Sequence, residues 1–190
     1  SEKQKIGVVG RNAAGKTTMF RIVTGQEEAD SGQILVHEDA NIAYLRQQDD
    51  RLEDETGLEY LERRSGRPEG RARQGASRFE LDAARLEQPA RSLSGGWGMR
   101  LKLSAMLLRE PNLFLLDEPT NYLDLNTLLL LERYLDSYNG SFLIISHDRE
   151  FLKRTCRETL EISASGCYRY AGDIDAFLEF KAQKLAALTK

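Results

Sequence analysis

The chain has 190 residues, of which 41% are hydrophobic and 30% charged, with a formal net charge of −3. That length suits one core of roughly 100 to 200 residues, with or without a small inserted subdomain. No apolar run approaches the roughly 18 uninterrupted residues that a membrane-crossing helix needs, and the charge balance gives no general attraction for polyanions. The opening SEKQKIGVVG has neither the basic leader and apolar stretch of an export signal nor the Arg/Ser-rich pattern of a transit segment. Cys156 and Cys167 show no CxxC spacing and no neighbouring His cluster, which indicates neither a zinc site nor a disulfide framework and points to reduced thiols in a cytoplasmic protein.

The first elements read as a strand at Ile6 to Val9, a loop from Gly10, and a helix from Lys16 to Val23 that stops near Gly25. Two further strands are expected at Ser31 to Val36 and Asn41 to Leu45, each bounded by Gly, Asp or Asn. Residues 49 to 91 are rich in Arg, Glu and Gly. They predict helices near Glu55 to Arg64 and Ser77 to Glu87, with a mobile polar loop from Ser65 to Gly75. From Gly98 the spacing of Met99, Leu101, Leu103, Met106 and Leu107 is helical, and the helix must stop before Pro111. A strand at Leu113 to Leu116, a helix from Leu123 to Tyr138, an apolar strand at Phe142 to Ile145, a hairpin of Thr159 to Ile162 with Cys167 to Tyr170, and a helix from Ile174 to the chain end complete the pattern. Alternating strands and helices imply an α/β fold with a mainly parallel central sheet.

Gly10 to Thr17 reads GRNAAGKT, which matches G-x-x-x-x-G-K-[ST] between a predicted strand and a predicted helix. Glycines at such a turn let the backbone wrap phosphate closely, so Gly10, Asn12, Ala13, Ala14 and Gly15 form a candidate cradle. Lys16 is suited to the β and γ phosphates, Thr17 to Mg²⁺, and Thr18 to a further phosphate contact. LFLLDEPT places Asp117 and Glu118 at the carboxyl edge of an apolar strand, where ligands sit in parallel sheets. Taken alone this pair is more often a solvated turn, or a helix cap at Asp117. Beside a phosphate cradle it becomes a metal-orienting Asp117 and a proton-accepting Glu118. LSGG at Leu93 to Gly96 precedes a helix, where Ser94 and the amides of Gly95 and Gly96 can receive an anion, although a plain helix-start turn has the same pattern.

The ordered set GRNAAGKT, IAYLRQ, LSGGW, LFLLDEPTNYLD and IISHDREFL resembles the ATP-binding cassette ATPases across nearly the whole chain. The continuation TNYLD, then SHDREFL and YAGDIDAFLEF, is similar to the ABC-F proteins, which carry two cassettes and act on ribosomes. The resemblance implies a P-loop NTPase fold with a helical insert and a C-terminal hairpin plus helix, divided as 1–48 and 111–172 for the core, 49–110 for the insert with its signature segment, and 173–190 for the start of a linker helix. It implies ATP and Mg²⁺ as ligands and ATP hydrolysis as the activity. Gln47, with Gln48 as the adjacent alternative, becomes the residue that senses Mg²⁺ and the attacking water, and His147 the residue that contacts the γ-phosphate and supports Glu118.

Ser94 is expected to reach a nucleotide held by a second cassette, with Asp124 in the contact loop, so one chain alone supplies half of each composite site and is expected to be a poor ATPase. Ribosome or RNA is the partner implied for the parent protein. The alternative is the nucleotide-binding subunit of a membrane transporter, and a third reading is a module that binds MgATP without useful turnover. The chain departs from the family pattern at Ala13, where glycine is usual, at Trp97 in place of glutamine, and at Tyr122 in place of histidine. The adenine-stacking aromatic normally stands about twenty residues before the P-loop, and ahead of Ile6 this chain has only Ser1 to Lys5. Weakened selectivity for the base is therefore expected.

Overall fold

The computed structural model describes residues 3–46, 54–93 and 95–188. Six strands form one sheet: β1 (Lys5–Val9), β2 (Ile42–Leu45), β3 (Leu113–Asp117), β4 (Ser141–Ile145), β5 (Glu158–Ser163) and β6 (Gly166–Tyr170). Their order is β2-β3-β4-β1-β5-β6. β2, β3, β4, β1 and β5 pair parallel, and β6 returns antiparallel to β5 as the expected hairpin. The helices are α1 (Lys16–Val23), α2 (Gly57–Ser65), α3 (Glu69–Ser77), α4 (Ala83–Leu86), α5 (Gly96–Leu108), α6 (Leu125–Ser137), α7 (Arg149–Thr155) and α8 (Ile174–Leu188).

Parallel strands buried on both faces need continuous apolar runs, and VV, LFLL and FLII supply them. One face packs Val8, Leu115, Ile145 and Ile162 around Phe20 of α1. The other packs Phe114, Leu116, Phe142 and Ile144 against Leu131 and Leu135 of α6, Phe151 and Leu152 of α7, and Ile174 and Phe177 of α8. Tyr60, Leu61, Ala72, Ala76 and Leu86 gather in a separate cluster with Leu101 and Ala105 of α5. α5 therefore serves two cores, because its Leu103 and Leu107 point into the sheet-side cluster. The helical insert is anchored to the sheet through this shared helix.

The structure corrects three expectations. The strand expected at Ser31 to Val36 does not form, and Ile34, Leu35 and Val36 are exposed. β-propensity describes fit to a paired, half-buried surface, and among the described residues no strand is paired with this segment. The polar stretch from Ser65 to Gly75 is not a loop. Gly66 closes α2 in the left-handed conformation, and α3 begins directly after Pro68, whose fixed φ suits a helix start. The single helix expected at Ser77 to Glu87 is broken at Glu80, with φ 59°, before Asp82 caps α4 through Arg85 N. A short helix that the sequence pattern does not predict, α7, is capped by the Asp148 side chain at Phe151 N.

Candidate active site

The parallel strands end on one edge, and the carboxyl ends of β1, β3 and β4 with the loops after them carry the described candidate residues. Val9 of β1 leads into Gly10, whose backbone passes so close to β5 that a Cβ there would lie 2.3 Å from the Ile162 carbonyl oxygen. Only glycine allows that approach. The loop then turns at Ala14 N to Arg11 O (3.1 Å) and passes through left-handed conformations at Ala13 (φ 63°) and Gly15 (φ 93°). Ala13 accepts backbone strain that a glycine would avoid. Asn12 and Ala13 are exposed at the tip, Ala14 and Thr17 are half-buried, and Thr18 lies exposed on the first turn of α1.

The Lys16 side chain is buried, and its Nζ donates to the carbonyls of Gly10 (2.8 Å) and Arg11 (3.0 Å). An ammonium has three donors, so one remains beyond these two carbonyls. The first turn of α1 contains no acidic residue, so the positive end of the helix and the ammonium act together on the loop. A phosphate chain fits this cradle in charge and in donor set.

Asp117 ends β3, and its Oδ2 accepts a hydrogen bond from the Tyr44 hydroxyl at 3.1 Å. The Tyr44 hydroxyl is pushed up to about 12, first by burial and then by the neighbouring Asp117 carboxylate. Its ring meets Phe20 of α1 edge-on at 5.8 Å, which links β2, α1 and the Asp117 carboxylate. The motifs do not predict the Tyr44 contact. The signal that could have found it is a lone tyrosine in the strand next to the acidic one.

Glu118 stands at φ 49°, held by its N–H to the Ile145 carbonyl at 2.8 Å. Its carboxylate accepts from His147 N at 3.2 Å and lies 3.2 Å from His147 Nε2. Burial raises the Glu118 carboxyl above its ordinary value. His147 and Lys16 oppose that rise, and Asp117 adds to it. A carboxylate made more basic and held at a fixed spot can take a proton from water. Ser146, buried between the two loops, accepts from Asp148 N and lies 3.4 Å from the Thr120 hydroxyl.

The glycines of the signature segment belong to a different neighbourhood. Gly95 sits at φ 52° and Gly96 opens α5. A Cβ on Gly96 would lie 2.1 Å from Asp124 Oδ2. Asp124 caps α6 through Thr127 N (3.0 Å) and Thr127 Oγ1 (2.7 Å). Its carboxyl is lowered, because those bonds and Arg100 outweigh the opposing effect of burial. Arg100, on α5 and also buried, reaches Thr127 Oγ1 (3.0 Å), the Phe79 carbonyl (3.4 Å) and Glu80 (3.0 Å). The guanidinium carbons of Arg85 and Arg100 lie over the Trp97 ring, 3.7 and 4.4 Å from its centroid. Arg100 and Thr127 therefore hold the signature turn to the start of α6, and Arg85 packs on Trp97 from α4, roles that no sequence motif revealed. Tyr122 is half-buried against the sheet-side core. Gln47, Gln48 and Ser94 lie outside the described residues.

The sheet order, the P-loop and the acidic strand end define a P-loop nucleotide-binding domain with a helical insert. Residues 1–121 match the family described as ABC transporter. The ribosome protection protein VmlR of Bacillus subtilis is 37% identical over 173 residues, covering 90% of this chain and 31% of that protein. The energy-dependent translational throttle protein EttA of Mycobacterium tuberculosis is 36% identical over 193 residues, covering 95% of this chain and 34% of that protein. A solved structure described as the ATP-binding subunit of an ABC transporter superposes with a TM-score of 0.77 at 21% identity, over 97% of this chain and 88% of that one. The chain belongs to the ABC transporter family, as an ATP-binding cassette. It spans about a third of the length of the curated relatives it matches.

Proposed function

We propose that the chain is a MgATP-binding cassette that hydrolyses ATP together with a second cassette, in a protein that acts on the ribosome. The observation that carries this reading is the meeting of Lys16, Asp117, Glu118 and His147 at one sheet edge, while Gly95 and Gly96 pack on the insert beside Asp124. In this reading Gly10, Asn12, Ala13, Ala14, Gly15, Lys16, Thr17 and Thr18 receive the phosphates. Thr17, Asp117 and Gln47 hold Mg²⁺, which neutralises phosphate charge when bound. Glu118 accepts the proton of the attacking water, and His147 keeps that carboxylate in place. Ser94, Gly95 and Gly96 act on the nucleotide of the second cassette.

The division into a core of 1–48 and 111–172, an insert of 49–110 and a linker start at 173–190 belongs to the same reading, as does a cytoplasmic setting. VmlR and EttA carry descriptions that refer to the ribosome and to translation, which supports the ribosome as the target. The test measures ATP binding and turnover side by side on wild-type protein and Glu118→Gln, with ribosome co-sedimentation in ATP. Retained binding, lost turnover and increased ribosome association in the variant are expected. Turnover equal to wild type would remove Glu118 from its role, and no ATP-dependent sedimentation of either protein would remove the ribosome.

A further inference from the structure

Two adjoining cavities, of about 110 and 840 Å³, share Arg78, Glu110 and Tyr134 as walls and form one groove where α3 of the insert faces α6 of the core. Four arginines line it: Arg67, Arg71, Arg78 and Arg133. The single lining carboxylate, Glu110, is paired with Arg67 at 3.0 Å. Counting side chains, four positive and one negative give the groove a net charge of +3, against −3 for the whole chain.

Arginines elsewhere on the insert behave differently. Arg63 is paired with Glu55, Arg73 with Glu69 and Glu87, Arg85 with Asp82, and Arg91 with Asp54. These are the solvated, mutually neutralised pairs expected of a charged helical surface. Arg71 reaches only the amide of Gln74, and among the described residues no ion pair is recorded for Arg71, Arg78 or Arg133, all three of them exposed. Unneutralised positive charges converging on a long groove suit a polyanion, because each can neutralise a phosphate and release its counterion.

The position separates this groove from the nucleotide site. Asn112 and Gly140, which line it, precede β3 and β4, whereas Asp117 is the last residue of β3 and His147 follows β4. Five-residue strands rising about 3.3 Å per residue put the two regions about 15 Å apart on opposite edges of the sheet.

We infer that this groove binds the phosphodiester backbone of RNA. The polyanion chemistry comes from the groove itself. The choice of RNA rests on the ribosome-directed reading above.

The test uses the full protein and the variant R71Q/R78Q/R133Q, with a fluorescein-labelled oligouridylate of about 12 nucleotides as probe. Affinity is measured across a salt series, and binding of a fluorescent ATP analogue is measured in parallel. Each single-strand phosphate contact contributes about −0.7 to the slope of log K against log salt, so losing three flattens it by about 2. At low salt the variant should bind RNA at least about tenfold more weakly. ATP analogue affinity should be unchanged, and ATP should not compete with RNA. The charge-retaining R71K/R78K/R133K should bind RNA nearly as wild type does, which separates charge loss from misfolding.

An unchanged RNA affinity and salt slope in the glutamine variant would overturn the proposal. So would equal loss in the lysine variant, or binding of poly-glutamate in place of RNA. If wild type and the glutamine variant sediment with ribosomes equally well, the groove proposal fails and the ribosome reading stands. If wild type binds RNA through these arginines but never sediments with ribosomes, the groove stands and the ribosome reading fails.

Discussion

Replacing Gly96 with alanine tests whether the signature turn and the start of α6 are one mechanical unit. The new Cβ would lie 2.1 Å from Asp124 Oδ2 and 3.0 Å from its Cγ, so the carboxylate must retreat by more than 1 Å to reach a favourable separation of about 3.5 Å. That retreat breaks its bonds to Thr127 N and Oγ1 and moves it further from Arg100, now 4.0 Å away. Loss of a helix cap costs about 1 kcal/mol, and overpacking adds about 1–3 kcal/mol. We expect a total near 2–3 kcal/mol. At about 2–4 °C per kcal/mol for a chain of this size, the melting midpoint should fall by about 5–10 °C.

Thermal and urea unfolding of G96A, D124A and the double variant give the cycle that isolates the contact. In the D124A background the added methyl meets no carboxylate, so the G96A cost should shrink to a few tenths of a kcal/mol. Additive costs would refute the idea that Gly96 is required by Asp124. Phosphate binding at the P-loop should survive G96A, and turnover should not.

Two further outcomes follow from the backbone and from burial. Ala13→Gly removes left-handed strain of about 1–2 kcal/mol and returns about 0.4–1 kcal/mol to the unfolded chain. It should therefore stabilise the protein slightly and leave ATP binding equal or tighter, while Ala13→Val should do the reverse; stabilisation by valine, read from urea midpoints, would contradict the assigned conformation. Because burial raises the Glu118 carboxyl, its protonated form favours the native state, and that stability is fully present below the unfolded value and lost as pH rises through the folded one. Glu118→Gln, which mimics the protonated acid, should stabilise the protein more at pH 7 than at pH 4, and His147→Ala should raise the Glu118 carboxyl further in an NMR titration. A larger gain from Glu118→Gln at pH 4 would reverse the assigned sign.

Much of the candidate site could be proposed along the chain because its motifs are local. GRNAAGKT must lie between a strand and a helix to work, and the apolar runs VV, LFLL and FLII mark strands by the burial they require. The segment Gln33 to Val36 shows the limit of such cues, since three apolar β-formers in a row stay exposed where no neighbouring strand pairs with them. The insert misled for a related reason: Gly66, Glu80 and Asp82 set helix ends through left-handed turns and a side-chain cap, and those turns depend on which carbonyls and cores lie nearby.

The sequence by itself determined the order of the motifs and hence the parallel α/β layout, because period, length and punctuation are properties of neighbours in the chain. Tertiary structure alone decided which distant groups meet. It set Tyr44 on Asp117 and His147 on Glu118, and it locked Gly96 and Arg100 of α5 to Asp124 and Thr127 of α6. These contacts join residues far apart in the chain, and their physical cause is the packing of strands and helices into a common core, which no local pattern encodes.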